Sequence, residues 1–304
     1  MIALLIGLAL MTPAPDSLPH YPADVQHVQV GDYRTAYVDR GDGPVLLFVH
    51  GLGSNLSLWR TALDTFAETH RVVALDLPGF GLSEKADVPA TMPFFAQHVA
   101  AFMDTLGIAR ATYVGVSMGG QVGLTLALSA EARVARMVLV SPAGIEQFTA
   151  EEAATLKQLT TPQAIAQSTD AQVAQSVRAN FDTWSPKHQW LIEQRHALAQ
   201  RDDFSAYAAA NARAVAGMLD GAVYDRLDTL SMPMLVLFGA GDRLIPNPYL
   251  HPEQTIDDVA DGARAALPSA TVTVVEDAGH LLMLERPAAF RTHVRPFLQQ
   301  TRTP

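Results

Sequence analysis

The feature that most constrains the fold of this chain is a serine enclosed by glycines between a strand pattern and a helix pattern. β-rich residues 112–116 and helix-forming residues 118–130 flank the segment Gly115-Val116-Ser117-Met118-Gly119. A sharp strand-to-helix turn leaves no room for a Cβ two residues before or after the serine. The spacing therefore predicts a tight turn that exposes the hydroxyl of Ser117. The alternative is a GxSxG sequence that arises by chance in an ordinary turn.

Short β-rich runs alternate with helical stretches around this turn, which is the pattern of crossover units that build a mostly parallel sheet. Strands are predicted at residues 25–30, 34–39, 45–49, 71–75, 112–116, 136–140, 234–238 and 271–275. Helices are predicted at residues 58–68, 92–106 and 118–130. Several strands are apolar throughout, as expected where helices cover both faces of a sheet. The sequence thus predicts an α/β fold with a central sheet flanked by helices.

The pattern changes over residues 143–225, which are rich in Ala and Gln and carry no clear strand. Val173, Val177 and Phe181 recur four residues apart and so share one helical face. Ser185, which precedes a proline, is predicted to be the N-cap of a further helical segment. These features predict a helical insertion, or cap, over the sheet.

The insertion interrupts a single core domain, which we predict to consist of residues 25–142 and 226–304. A cap of apolar helices would exclude water and bind alkyl chains. We therefore predict that three aromatic side chains of the cap line a substrate pocket, namely Phe181, Trp184 and Trp190. The alternative is that they form the apolar core of the cap itself.

A serine hydroxyl is a weak nucleophile until a base takes its proton. His280 follows the last predicted strand, where a loop at the sheet edge can present it to Ser117. The imidazole in turn needs a carboxylate that fixes its tautomer. Asp242 lies directly beyond a strand and gives the chain order Ser, Asp, His. Asp277 and Glu146 are rival carboxylates, but the position beyond a strand end favours Asp242 as the acid.

The oxyanion that develops on an attacked carbonyl requires preorganised hydrogen-bond donors. The backbone N–H of Met118, next to Ser117, is predicted to supply one. The loop His50-Gly51-Leu52-Gly53 follows a predicted strand, and the N–H of Leu52 is predicted to supply the other. His50 itself is expected to order this loop by hydrogen bonding and not to act as a base.

Taken together, residues 45–286 resemble the α/β-hydrolase family. The matching segments are residues 50–53, 76–83, 115–120 and 279–280. The resemblance implies the α/β-hydrolase fold, a catalytic triad of Ser117, Asp242 and His280, and a reaction that needs no cofactor. Residues 117–122, 141–144 and 283–287 are also similar to membrane-associated monoacylglycerol lipases and related bacterial lipases. That similarity implies a small ester substrate with an apolar acyl chain.

Other reactions of the same family remain alternatives, because a fold does not determine its chemistry. Epoxide hydrolases and haloalkane dehalogenases of this fold carry Asp at the position of Ser117, which argues against both. Carbon-carbon bond hydrolases and cofactor-free perhydrolases keep the serine triad. The carbon-carbon hydrolases place Trp after the catalytic His, where this chain has Leu281. A non-catalytic binding protein of the same fold is the alternative outside enzymes.

The composition excludes several partners and cofactors. A formal net charge of -10 would repel nucleic acid and anionic lipid headgroups. The chain contains no cysteine, which excludes disulfides and thiolate nucleophiles. No HExxH or EF-hand pattern occurs, so no metal site is predicted.

Residues 2–11 form an apolar run that is shorter than the roughly 20 residues of a membrane-spanning helix. The run resembles the apolar region of a signal peptide, although no basic residue precedes it. The alternative is an N-terminal helix that packs on the protein or lies in a membrane surface. We therefore separate residues 1–24 from the core domain, and either export or membrane association is expected.

Overall fold

The computed structural model describes residues 17–300, so the apolar run at residues 2–11 lies outside it. One sheet contains eight strands in the order β1-β2-β4-β3-β5-β6-β7-β8. The strands are β1 (Gln26–Val30), β2 (Tyr33–Arg40), β3 (Val45–Val49), β4 (Arg71–Leu75), β5 (Ala111–Val116), β6 (Val134–Val140), β7 (Met234–Gly239) and β8 (Ala270–Val275). Strand β2 pairs antiparallel with β1 and β4, and all other pairs are parallel. The predicted mostly parallel sheet is confirmed.

Helices lie on both faces of this sheet and between its later strands. They are α1 (Arg60–Phe66), α2 (Met92–Thr105), α3 (Met118–Ala130), α4 (Ala150–Leu159), α5 (Pro162–Ala166), α6 (Asp170–Arg178), α7 (Gln189–Ala199), α8 (Phe204–Asp220), α9 (Ile256–Ala266), α10 (Leu282–Glu285) and α11 (Pro287–Gln299). A 3-10 turn at Leu56–Trp59 replaces the start of the helix predicted at residues 58–68. None of the helices between residues 17 and 300 is long and apolar enough to span a bilayer.

Alternation along the strands produces two apolar clusters, one on each face of the sheet. In β3, Leu47 and Val49 belong to the cluster that includes α2, α3 and α9, whereas Leu46 and Phe48 belong to the other cluster. The second cluster includes α1 and the C-terminal helices α10 and α11. Because β3 is buried on both faces, its residues are apolar throughout.

The chain between β6 and β7 contains the five helices α4–α8 and no strand in the described structure. Thr149 and Thr169 begin two of these helices with reciprocal capping boxes to Glu152 and Gln172. Ser185 occupies the expected N-cap position, although its side chain makes no capping hydrogen bond and the turn that follows is 3-10. The division into a cap at residues 143–225 and a core domain stays a prediction.

Candidate active site

The turn between β5 and α3 places Ser117 in a strained backbone conformation. Its φ is 53° and its ψ is -122°, a region that residues with a side chain rarely occupy. A Cβ on Gly115 would lie 2.5 Å from the carbonyl oxygen of Gly119, and a Cβ on Gly119 would lie 2.4 Å from that of Val49. Both flanking glycines are therefore required by close backbone contacts. The tight turn predicted from their spacing is present.

The imidazole of His280 is paired with a buried carboxylate. Its Nδ1 lies 2.8 Å from Oδ2 of Asp242, whose side chain is fully buried. Burial by itself would raise the pKa of Asp242, but the charge and hydrogen bond of His280 and the N–H of Leu244 lower it below its ordinary value. An ionised carboxylate only accepts hydrogen bonds. When the imidazole is neutral, its single proton therefore sits on Nδ1. The lone pair of Nε2 is then free to accept a proton.

The two rival carboxylates lie elsewhere. The side chain of Asp277 is 81% exposed, and its carboxylate lies 3.9 Å from the guanidinium of Arg286. Glu146 accepts the N–H of Asn247 at 2.7 Å, and its carboxylate lies 2.5 Å from Nδ1 of His251. Of the three candidate acids, only Asp242 is hydrogen-bonded to His280.

Ser117 and His280 line two cavities that meet at their side chains. The larger cavity has a volume of about 510 Å³ and mostly apolar walls, which include Leu156, Val215, Met218, Leu219, Val223 and Ile245. The smaller cavity has a volume of about 340 Å³, and its walls are also mostly apolar, but they include the polar side chains of Ser54, Ser176, Asn180, Arg195 and Asn211. Both cavities open onto Ser117, so each offers space for one part of a substrate bound there. No group of three or more His, Cys, Asp or Glu side chains within residues 17–300 could hold a metal ion.

The loop His50-Gly51-Leu52-Gly53, called the oxyanion loop below, runs against Ser117. A Cβ on Gly51 would lie 3.2 Å from Cβ of Ser117, and Leu52 lines both cavities. The buried His50 ring accepts the N–H of Leu77 at Nε2 (3.0 Å) and so donates from Nδ1 to the carbonyl of Gly51 (2.8 Å). Burial lowers the pKa of His50 to about 4, which keeps the ring neutral. His50 thus orders the loop through hydrogen bonds, as the sequence indicated.

The three aromatic residues expected in the substrate pocket lie elsewhere, and that expectation is corrected. Among the described residues, neither cavity at Ser117 is lined by Phe181, Trp184 or Trp190. Phe181 stacks on His188 with ring centroids 4.5 Å apart and meets Trp184 edge-on, while the guanidinium of Arg60 lies 4.0 Å from the ring centroid of Trp190. These large rings pack in the apolar cluster that includes α1 and α10, and this contact removes their apolar surface from water.

Helices α4 and α8 instead supply four of the apolar residues that line the larger cavity, namely Leu156, Val215, Met218 and Leu219. Val215, Met218 and Leu219 stand at spacings i, i+3 and i+4 on α8, which places them on one helical face. That spacing is a sequence signal of the same kind as the one at Val173 and Val177, but it shows only that the residues share a helical face and not that this face lines a cavity.

Comparison with known proteins agrees with this architecture. A family model described as the alpha/beta hydrolase fold matches residues 44–287. The chain is 30% identical over 294 residues to the dihydrolipoyllysine-residue acetyltransferase component of the acetoin cleaving system of Cupriavidus necator, covering 95% of this chain and 73% of that one. It is 28% identical over 265 residues to 3-oxoadipate enol-lactonase 2 of Acinetobacter baylyi, covering 86% and 91%. The crystal structure of a probable hydrolytic enzyme of Pseudomonas aeruginosa PAO1 superimposes with a TM-score of 0.81 at 24% identity, covering 92% and 95%.

Proposed function

Because this chain belongs to the α/β-hydrolase fold family, we propose that it is a serine hydrolase that cleaves carboxylic esters through an acyl-enzyme intermediate. One observation carries the proposal: the hydroxyl of Ser117, on a strained turn, shares a cavity with the imidazole of His280, which is hydrogen-bonded to the buried Asp242. That arrangement supplies the nucleophile, the general base and the orienting carboxylate that ester hydrolysis by a serine requires.

In the proposed reaction, Oγ of Ser117 attacks the ester carbonyl carbon while its proton moves to Nε2 of His280. The carbonyl oxygen becomes an oxyanion, which accepts the N–H groups of Leu52 and Met118. Collapse of this intermediate breaks the ester bond, and the leaving alkoxide takes the proton from His280. Water then attacks the acyl-enzyme by the same route and releases the acid. A different nucleophile in place of water would transfer the acyl group, the reaction class named for the relative from Cupriavidus necator.

The larger cavity supports an apolar acyl chain as the group bound beside Ser117. Each methylene that it buries contributes roughly 0.8 kcal/mol at best. A cavity of about 510 Å³ under helices α4 and α8 suits short and medium acyl chains. We therefore propose esters of this kind, including monoacylglycerols, as substrates, and we expect bulky triglycerides to be poor ones.

Arg195 favours a second candidate function. Its side chain lines the smaller cavity at Ser117, and one guanidinium nitrogen, Nη1, donates to the hydroxyl of Tyr207 at 2.7 Å. A guanidinium binds a carboxylate with two parallel hydrogen bonds. A carbon-carbon bond hydrolase whose substrate carries a carboxylate is thus the second candidate. Leu281, which lines the same cavity, stands where those enzymes carry Trp and disfavours it.

A fluorophosphonate probe tests the proposed nucleophile. The wild-type protein should take up one probe per chain, at Ser117, and hydrolyse p-nitrophenyl esters. Ser117→Ala should lose the label and about a millionfold in turnover, because the triad acts as a unit. Ser129→Ala is the matched control, since Ser129 is exposed and lies on the same helix. Ester hydrolysis by a contaminant-free Ser117→Ala protein would refute the proposal.

A further inference from the structure

A side chain of the helical insertion holds the far end of the oxyanion loop. The hydroxyl of Tyr207, on α8, donates to the carbonyl oxygen of Gly53 at 3.0 Å. The hydroxyl oxygen of Tyr207 itself accepts hydrogen bonds from Nη1 of Arg195 at 2.7 Å and from Nδ2 of Asn211 at 3.2 Å. A phenol has one proton to donate and two lone pairs. The two donors occupy its lone pairs, so its proton is directed at Gly53.

The ring of Tyr207 is buried and contacts neighbouring aromatic side chains. The residue is 3% exposed, and its ring stacks on Phe204 with centroids 5.7 Å apart. It also meets the ring of Phe80 edge-on at 6.0 Å, and Phe80 in turn packs against the ring of His50 at 5.5 Å. His50 and Tyr207 therefore bind carbonyls of the same loop, and both side chains also contact the ring of Phe80.

The loop backbone passes very close to side chains of the insertion. Gly53 has a φ of +60°, and a Cβ there would lie 2.8 Å from Nδ2 of Asn211 and 2.9 Å from Nη1 of Arg195. The N–H of Leu52 stands between two carbonyls, of Gly51 and Gly53, that both accept side-chain hydrogen bonds. The backbone on either side of this N–H is thus held by a contact with the core at Gly51 and by a contact with the insertion at Gly53.

We propose, on the basis of the serine hydrolase function above, that Tyr207 is a positioning residue that aligns the N–H of Leu52 with the developing oxyanion. The insertion would then act on turnover as well as on substrate binding. Loss of this contact would misalign the N–H of Leu52. In the ground state this costs little binding energy, because the carbonyl oxygen of the substrate carries little charge. The cost falls on the transition state, where the oxygen is charged.

Tyr207→Phe keeps the ring and removes only the hydroxyl. We expect kcat to fall about tenfold, less than the roughly 10²- to 10³-fold loss for deleting an oxyanion donor outright, with KM changed by less than about twofold. The affinity of a boronic acid, whose adduct with serine carries the oxyanion, should fall by the same factor as kcat. A residue that only stabilised the fold would lower the Tm and leave both quantities unchanged for the folded protein.

Two further variants keep this test decisive. Tyr33→Phe is the matched control, since it also removes a tyrosine hydroxyl that donates to a backbone carbonyl, that of Asp87 at 3.3 Å. Asn211→Ala disturbs the same hydroxyl of Tyr207 through its other partner and should lower kcat and boronate affinity in the same direction. Wild-type kcat and boronate affinity in both Tyr207→Phe and Asn211→Ala would overturn the inference. Absence of probe labelling at Ser117 in the wild type would instead overturn the proposed function.

Discussion

The two aspartates that the sequence offers as partners of His280 have opposite surroundings in the structure. Asp242 is buried, binds Nδ1 of His280 and accepts the N–H groups of Leu244 at 2.9 Å and Ile245 at 3.1 Å. Asp277 is three residues from His280, yet its side chain is 81% exposed. Proximity to His280 in the chain therefore does not identify the acid, because Asp277 lies in a turn with a φ of 53° and its side chain faces solvent.

The pair provides a matched test of the acid. Asp242→Asn should lower kcat by about 10⁴-fold, because an amide that donates toward Nδ1 stabilises the wrong tautomer of His280. Asp277→Asn changes an exposed carboxylate and should leave kcat within about twofold of the wild type. Steady-state kinetics on both purified proteins, with circular dichroism to verify folding, makes the comparison. A crippled Asp277→Asn beside an active Asp242→Asn would reverse the assignment.

The residues of the proposed triad could be found from the sequence, whereas the substrate-facing residues could not. Backbone contact forces glycine onto both sides of Ser117, so the nucleophile leaves a signature in the chain. Asp242 and His280 follow strands, and strand ends can be read from apolar runs. Phe181 and Trp190 are predicted to be buried by their size alone. Their size does not indicate which apolar surface they cover. In the structure they pack in the cluster that includes α1 and α10 and do not line the larger cavity.

At the scale of elements, the parallel strands match their predicted positions closely because burial on both faces leaves little choice of residue. Strand β7 is buried at every position, and its apolar run is continuous. For the helices between β6 and β7, the sequence indicates a shared helical face at Val173 and Val177 and an N-cap at Ser185, but it does not give the bounds of each helix. Helices α4 and α5 contain no buried residue, so they carry no apolar stripe that would reveal their bounds. Their threonine N-caps are the remaining signal.

Helix α8 should set the acyl-chain preference. If methylenes of the acyl group enter the larger cavity, kcat/KM should rise by up to about fourfold per methylene until the cavity is full. Met218→Ala removes part of the cavity wall and should move the optimum to chains longer by about two methylenes. Arg213→Ala is the matched control, because Arg213 is exposed on the same helix. A series of p-nitrophenyl esters measures this, and an unchanged optimum in Met218→Ala would place the acyl chain elsewhere.

At the scale of the whole molecule, titratable side chains buried in the protein make the free energy of unfolding depend on pH, and their contributions have opposite signs. Burial raises the pKa of Asp76 to about 6, although it accepts the N–H groups of Leu56 and Leu82 and the hydroxyl of Tyr21. Its contribution to stability is therefore present at low pH and lost as the pH rises through about 6. Burial lowers the pKa of both His50 and His98 to about 4, which has the opposite sign.

His98 allows one of these contributions to be isolated. It lies on α2, 6% exposed, with Nε2 2.9 Å from Oγ1 of Thr35. Because the folded pKa of about 4 lies below the unfolded value of 6.5, its contribution is present above pH 6.5 and is lost as the pH falls through that window toward 4. The loss amounts to about 3 kcal/mol.

His98→Gln replaces the imidazole by an amide that can reach Thr35 but does not titrate. In urea unfolding at pH 7 and pH 4, the variant should therefore lose about 3 kcal/mol less stability than the wild type. Asp76 and His50 are common to both proteins, so their contributions cancel in the difference, and an equal loss in both proteins would show that His98 is not the source.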